Sequence, residues 1–433
     1  MAYRFIHTAD LHLDSPLRSL AMRDRTLRDR IDLATREAFV GLVTVALEER
    51  VDALMIAGDL YDGSQTSQKT SLFLSAQFAR LAEAGIRVFV VKGNHDARST
   101  ITKGLDLPPN VHLFDGRGGA GGAVTARDGD VPVIVHGVSF REPKAPDSLL
   151  PRYARPTDGA LDIGLMHTSL AGAAGHDDYA PCALADLVGH GFSYWGLGHV
   201  HSRNVHHADA RSAVVMPGMP QGRDVGEAGA KSASLVTLGE DGAVTLEEVP
   251  TSVAVFARER AVLKGAEDWD DAIAVAEGAI IDAAGRAGEA GGLVIRLEVA
   301  GRSPDHWRLR RDRDAFRAAL AERLGDGVHI EKIDVDVAPP TACATGREVR
   351  DDGPLRELVS GMTGIAASDE FRVEALALMG EIERSLPSGE ARNRAFGRTE
   401  AERDALLAAL LDDGVAEMAA RIEGDATGEG RAA

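Results

Sequence analysis

The stretch Ile86-Arg87-Val88-Phe89-Val90-Val91-Lys92-Gly93-Asn94-His95-Asp96 decides how the rest of the chain is read. Its first half is an apolar run rich in β-branched residues, the pattern of a buried strand. A glycine then lets the backbone turn sharply, and Asn94, His95 and Asp96 follow at the strand's C-terminal end, a common place for chemistry in α/β folds. A turn rich in Gly, Asn and Asp is often only a turn, so the neighbouring motifs must settle its meaning.

Four more short motifs each follow an apolar run: Asp10-Leu11-His12; Gly58-Asp59-Leu60-Tyr61-Asp62; His167 after Ile163-Gly164-Leu165-Met166; and Gly198-His199-Val200-His201. Strand-like runs are expected at 3–8, 53–57, 88–91, 131–138, 162–166, 193–197, 214–216, 234–238 and 244–249. Helical stripes lie between the early ones: Phe39, Leu42, Val43, Ala46 and Leu47, then Leu74, Phe78 and Leu81, closed by Gly85. Strands alternating with helices imply a layered α/β domain, and the sparser helices later on suggest a mixed second sheet. The glycine-rich segment 116–122 lacks the Gly-Lys-Ser/Thr of a phosphate-cradling loop and reads as a surface loop.

After Val249 the texture changes. Strands at 253–263, 293–299 and 328–337 with helices at 266–287 and 314–324 describe a small α+β domain ended by Pro339 and Pro340. The remainder is helical and acidic, with apolar stripes Leu355, Leu358, Val359 and Met362, then Leu376, Met379, Ile382 and Leu386. A capping box, Thr399 with Glu402, opens a last helix carrying Leu406, Leu407, Leu410, Leu411, Val415, Met418 and Ile422, and a disordered tail is expected from Gly424. Three regions result: 1–250, 251–340 and 341–433.

The 433 residues, 44% hydrophobic and 27% charged, provide for packed cores in more than one domain. The N-terminus enters a strand at once with no secretory pattern, and no apolar run is long enough to span a bilayer, so a cytoplasmic protein with no membrane association is expected. Two cysteines, Cys182 and Cys343, make neither a disulfide framework nor a thiolate cage. A net charge of −19 excludes coating of nucleic acid by bulk electrostatics, so any such contact must be local.

The Asp-x-His and His-x-His spacings place both side chains of a pair on one side of an extended backbone, where they can chelate one ion. Each pair has a plainer explanation alone: Asp59 as a helix cap, His167 as a strand-end histidine, His199 with His201 as a polar edge. Five such coincidences in one domain are improbable, and mixed N and O donors without thiolate suit Mn, Fe or Zn more than Ca or Mg. No Ser-His-Asp or Cys-His nucleophile is evident in the sequence.

This ordered set of motifs resembles that of the calcineurin-like metallophosphoesterase superfamily. The start Phe5-Ile6-His7-Thr8-Ala9-Asp10-Leu11-His12-Leu13-Asp14, the Gly58-to-Asp62 motif and Gly137-Val138-Ser139-Phe140 look like SbcD-type DNA repair nucleases. The stretch His176 to Cys182, leading to Tyr194-Trp195-Gly196-Leu197-Gly198-His199, is more similar to the YhaO-type bacterial branch. The resemblance implies a four-layer α-β-β-α sandwich with a two-metal site, a small capping domain and a C-terminal helical region. It implies that Asp10, His12 and His201 hold one ion, Asn94, His167 and His199 the other, that Asp59 bridges both, and that Mn is the metal. It further implies His95 as the acid that protonates the leaving oxygen or orients the phosphate, with Asp96 holding its ring. A histidine is usual at the position of Asp62 in archaeal relatives, which puts a substrate role for Asp62 in doubt. Implied partners are DNA, an SMC-like ATPase of SbcC type docking on the C-terminal helices, and a second copy pairing through helices near the first two motifs.

Arginines after the motifs, among them Arg18, Arg98 and Arg141, are expected to make a local positive collar for DNA, and Arg302, Trp307, Arg308, Arg310, Arg311 and Arg313 a second basic patch. The activity expected is metal-dependent hydrolysis of DNA as an exo- or endonuclease. A phosphodiesterase or phosphatase acting on a small molecule, and a non-catalytic DNA-end scaffold, are the alternatives.

Overall fold

A computed structural model describes residues 2–15, 25–62, 68–98, 107–116, 121–170, 179–265, 267–288, 291–325, 327–338, 354–385, 392, 395–397 and 399–426. Arg18, the side chain of Arg98, Cys343, residues 117–120, the part of the His176 motif before Tyr179, and the expected tail beyond Ala426 lie outside these. The chain divides into two compact units, Met1–Arg258 with Ala283–Ile295 and Gly327–Glu331, and Glu259–Asp282 with Arg296–Asp326 and Lys332–Ala433.

The first unit holds two six-stranded sheets. One has the order β12 (Val244–Pro250), β11 (Ser232–Leu238), β1 (Tyr3–Thr8), β2 (Ala53–Ala57), β3 (Arg87–Val91), β4 (Val111–Leu113). The other has the order β5 (Gly122–Arg127), β6 (Val133–Gly137), β7 (Leu161–His167), β8 (Tyr194–Gly198), β10 (Ala213–Met216), β9 (Asn204–Ala208). Pairs β1–β2, β2–β3 and β3–β4 are parallel, as are β6–β7, β7–β8 and β8–β10; antiparallel strands flank both sets.

The central strands are buried on both faces, and the period of two sorts their side chains. Phe5, Met55 and Phe89 from the first sheet meet Val135, Ile163, Tyr194 and Val215 from the second. On the other face of the first sheet Ile6, Leu54, Ile56, Val88 and Val90 pack under Phe39, Leu42 and Val43 of α1 (Arg25–Glu48) and Leu74 and Phe78 of α2 (Gln68–Glu83). On the outer face of the second, Met166, Trp195, Leu197 and Val214 pack under Leu187 of α4 (Leu184–His190). The short helix α3 (Asn94–Arg98) begins inside the third motif. The layering is α-β-β-α, as expected, and the central strands share one direction within each sheet. The motif loops after β1, β2, β3, β7 and β8 therefore emerge along C-terminal sheet edges.

A three-stranded sheet follows, in the order β13 (Val255–Lys264), β14 (Leu293–Arg302), β15 (Val328–Ala338), with α5 (Trp269–Ala287), α6 (His306–Arg311) and α7 (Arg313–Leu324). Part of the expected second basic patch serves this packing. Arg308 lies 4.3 Å over the ring of Trp269, Arg311 lies 4.7 Å over Trp307 and pairs with Asp312 at 2.7 Å, and Trp269 meets Phe316 edge to face. Trp307 and Asp312 within the stretch, and Trp269 from α5, engage Arg308 and Arg311, so His306–Arg311 is a helix packed on the core, while Arg302 and Arg313 are exposed.

The last helices are α8 (Pro354–Ala366), α9 (Asp369–Ser385) and α10 (Glu400–Ala426). The capping box forms: Thr399 N–H donates to Glu402 at 3.0 Å and Glu402 N–H to Thr399 Oγ1 at 3.2 Å. The helix α10 packs against α6, α8 and α9 and buries Leu407, while Leu410 and Met418 of the same stripe stay exposed. It continues to Ala426, so residues 424–426, expected in the tail, are helical. Among the described residues no helix is long and apolar enough to cross a membrane.

Candidate metal centre

The first two motif loops are laced together. Asp10 N–H donates to Gly58 O, His12 N–H to Asp59 O and Leu13 N–H to Leu60 O, each at 3.0 Å. Asp10, His12, Asp59 and His199 all have positive φ, at 52°, 41°, 53° and 104°. L-residues rarely adopt this conformation, and it concentrates where a functional site over-determines the backbone. The Asp-x-His pair therefore does not sit on the extended backbone expected from its spacing: left-handed turns beyond the strand end bring these side chains to the site.

Two groups of donors converge within 4.8 Å, Asp10 with His12 and His201, and Asp10 with Asp59 and His167. Asp59 Oδ2 lies 3.9 Å from His12 Nε2 and 3.5 Å from His167 Nε2, between the two groups, while its Oδ1 accepts His95 N–H at 3.0 Å. Asn94 Oδ1 lies 3.0 Å from His167 Nε2. The His199 ring meets that of His167 at 5.1 Å, and its backbone N–H donates to Asp10.

The hydrogen bonding around these rings suits a cation. His167 Nδ1 is 2.9 Å from Ala57 O, and a carbonyl only accepts, so Nδ1 carries the proton and Nε2 turns toward Asn94 Oδ1 and Asp59, both acceptors. His12 Nε2 and His201 Nε2 face each other at 3.2 Å, and buried His12 Nδ1 has no hydrogen-bond partner among the described residues. Imidazole nitrogens and acceptor oxygens crowded together in a buried site are suited to a positive charge between them.

The electrostatics agree. Burial opposes the charge of Asp59, yet the His167 imidazole outweighs it and holds the carboxyl well below its usual range. Burial likewise disfavours protonated His167, but Asp59 and Asp10 push it up to about 9. Burial, then Arg223, keeps His12 well below an ordinary histidine. An ionised carboxylate, a neutral imidazole and a field that attracts a proton to His167 are what divalent ions need.

Glycine in these motifs serves close approach. A Cβ on Gly93 would sit 2.2 Å from Asp59 Oδ1, on Gly58 2.4 Å from His167 Nδ1, and on Gly198 2.0 Å from Ala57 O. The Gly137-to-Phe140 run braces the third motif: Lys92 N–H donates to Ser139 Oγ, Phe140 N–H to Lys92 O, and the Phe140 ring meets His167 edge to face at 5.4 Å. Arg141, next along, is exposed.

The His95 ring lies 4.9 Å from that of His12, and its Nδ1 is 3.2 Å from Asp62 Oδ1. That bond raises the pKa of His95 and depresses that of Asp62. Asp62 thus holds the ring, the task expected of Asp96. The oxygens of Asp96 instead accept Tyr61 N–H at 3.2 Å and Gly93 N–H at 3.1 Å, binding the second and third loops together. Burial and the charge of Asp59 push the Asp96 carboxyl up to about 7.

Two residues with no signal in the sequence belong to the same cluster. Glu227 Oε1 is 2.7 Å from His201 Nδ1, which fixes the proton there and leaves Nε2 for the centre. Arg223 grips Glu227 through Nε and Nη2. Both lie on the loop between β10 and β11, after no apolar run and far in sequence from the histidine they serve, so no periodicity or spacing marks them.

Residues 3–203 match the calcineurin-like phosphoesterase family, and residues 256–338 match the middle domain of metallophosphoesterase YhaO. The metallophosphoesterase YhaO of Bacillus subtilis is 38% identical over 237 residues, covering 54% of this chain and 56% of that protein. The DNA double-strand break repair protein Mre11 of Sulfurisphaera tokodaii is 25% identical over 232 residues, 50% of this chain and 54% of that one. The SbcD component of the nuclease SbcCD of Escherichia coli is 28% identical over 145 residues, 33% of this chain and 34% of that one. The chain therefore spans about half the length, or less, of these curated relatives. The layered sheets, the converging donors and these matches together identify a calcineurin-like metallophosphoesterase domain followed by a YhaO-like middle domain.

Proposed function

We propose that this protein is a metal-dependent nuclease that hydrolyses DNA phosphodiesters in repair, with Mn as its metal. The observation that carries the reading is the position of Asp59 Oδ2 between His12 and His167, at the junction of two donor groups. In this reading Asp10, His12 and His201 hold one ion, Asn94, His167 and His199 the other, and Asp59 spans both. When bound, the pair of ions supplies the electrophile that neutralises the phosphate and activates water. His95, held by Asp62, faces the substrate over His12 and protonates the leaving oxygen, and Asp96 keeps its loop in register. The Mre11 relative is a DNA double-strand break repair protein and the SbcD relative a subunit of a nuclease, which supports DNA as substrate and a second subunit as partner, in this reading an SMC-like ATPase.

A small-molecule phosphoesterase is the second reading. It is favoured by the engagement of Arg308 and Arg311 in core packing, which removes part of the expected DNA-binding surface. The two are separated by incubating the purified protein with Mn and linear duplex DNA, single-stranded DNA or bis-p-nitrophenyl phosphate. Cleavage of DNA supports the first; cleavage of the small diester alone, even with its ATPase partner added, overturns it. His95→Ala is expected to lower the rate about 10²- to 10⁴-fold with metal content retained, and an unchanged rate would remove the role assigned to His95.

A further inference from the structure

We propose that Arg223 is a substrate-binding residue, whose guanidinium takes two oxygens of the substrate phosphate beside the His12 and His201 donor group. The inference rests on the phosphoester hydrolysis proposed for this site. Arg223 Nη2 lies 3.4 Å from His201 Nδ1, and its Nη1 donates to Ser15 Oγ at 3.3 Å. Ser15 Oγ donates to Asp62 Oδ2 at 2.8 Å, and the other oxygen of Asp62 holds His95. The His12 ring lies 4.9 Å from that of His95 and 5.0 Å from that of His201. Arg223 and His95 are thus linked through Ser15 and Asp62, and His95 and His201, the ring beside Arg223, both meet His12.

The exposure gradient points the same way. The side chains of His12, Asp59 and His167 are 1%, 2% and 0% exposed, whereas those of His95, His201 and Arg223 are 32%, 29% and 20% exposed. The centre thus opens toward solvent where the guanidinium stands. Glu227 and Ser15 occupy Nε–H and one N–H on each terminal nitrogen, and His201 Nδ1, 3.4 Å from Nη2, gives its own proton to Glu227 and accepts none, so a second N–H on each terminal nitrogen is left for a ligand. Such a planar fork matches two oxygens of a phosphate.

Service to His201 does not explain the arginine. Glu227 alone fixes the Nδ1 proton of that ring, and a guanidinium beside His12 and His201 repels any cation placed there. A positive group next to a cation-binding cluster is useful to an anion. Its grip on Glu227 holds the fork in one orientation, so little side-chain freedom is lost when the phosphate arrives.

Affinity for inorganic phosphate is to be measured by calorimetry on Mn-loaded wild type, Arg223→Gln and Arg223→Lys, with metal content and melting temperature recorded for each. Arg223→Gln is expected to bind phosphate about 10- to 100-fold more weakly with two ions retained, and Arg223→Lys to recover part of the loss. With bis-p-nitrophenyl phosphate, KM should rise more than kcat falls. Unchanged phosphate affinity in Arg223→Gln, or loss of metal in both variants, overturns the inference. Should the wild type cleave no phosphoester, the proposed function fails, while the phosphate comparison still decides the role of Arg223.

Discussion

A methyl group at residue 93 would lie 2.2 Å from Asp59 Oδ1 and 2.7 Å from His167 Cε1, so the backbone of the third motif touches the side chains it helps to assemble. Gly93→Ala is expected to destabilise the fold by about 1–3 kcal/mol and to lower bound metal, as elemental analysis and thermal melting would show; wild-type metal content would contradict this. Asp62 and His95 make a titratable pair with a defined window. His95 is raised, so its share of stability is complete below about 6.5 and is lost as pH climbs through its folded value. Asp62 is depressed, so its share is complete above about 3.8 and is lost as pH falls through its folded value. In chelator-treated protein, the melting-temperature gap between wild type and Asp62→Asn should be widest near pH 5 to 6 and shrink as pH climbs through the raised value of His95. A gap independent of pH would mean that the pair does not act as an ion pair.

At the scale of elements, strands buried on both faces were legible: β1 and β2 fall on the expected residues, because Ala53–Ala57 is a continuous apolar run and Tyr3–Thr8 is a strand-like alternation leading into a polar motif. The strands β4, β5 and β9 were not. Each lies at a sheet edge with much of its surface open to solvent, so it lacks the apolar run that announces a strand. Helix α6 was concealed by its arginines, whose partners are tryptophans that only packing brings near. In α10 the stripe folds back through Leu407, which is 2% exposed. Leu407→Ala should cost about 2–5 kcal/mol in the second unit and speed proteolysis of residues 400–426. Wild-type resistance would show that the helix owes its place to other contacts.

At the scale of the whole molecule, the first unit gathers two buried aspartates and three buried or half-buried histidines into two groups that share Asp10. Unfolding scatters these ligands, so divalent metal is expected to raise the apparent melting temperature. At a free concentration about 100-fold above Kd the gain is about 2.7 kcal/mol, and EDTA should abolish it. Identical melting with and without metal would sink the metal-centre reading.

What the amino-acid sequence determined by itself was a set of candidate donors, five of which the fold brings together, and the layered architecture. Strand-end position, apolar runs and residue type are local properties, and they sufficed to nominate Asp10, His12, Asp59, Asn94, His167, His199 and His201. Tertiary structure alone decided how these groups are supported: left-handed turns aim the first two loops, Asp62 and not Asp96 holds His95, and Glu227 with Arg223 stands behind His201. Those contacts join residues separated by tens to hundreds of positions, and their geometry exists only once the sheets have packed and their C-terminal edges share one rim.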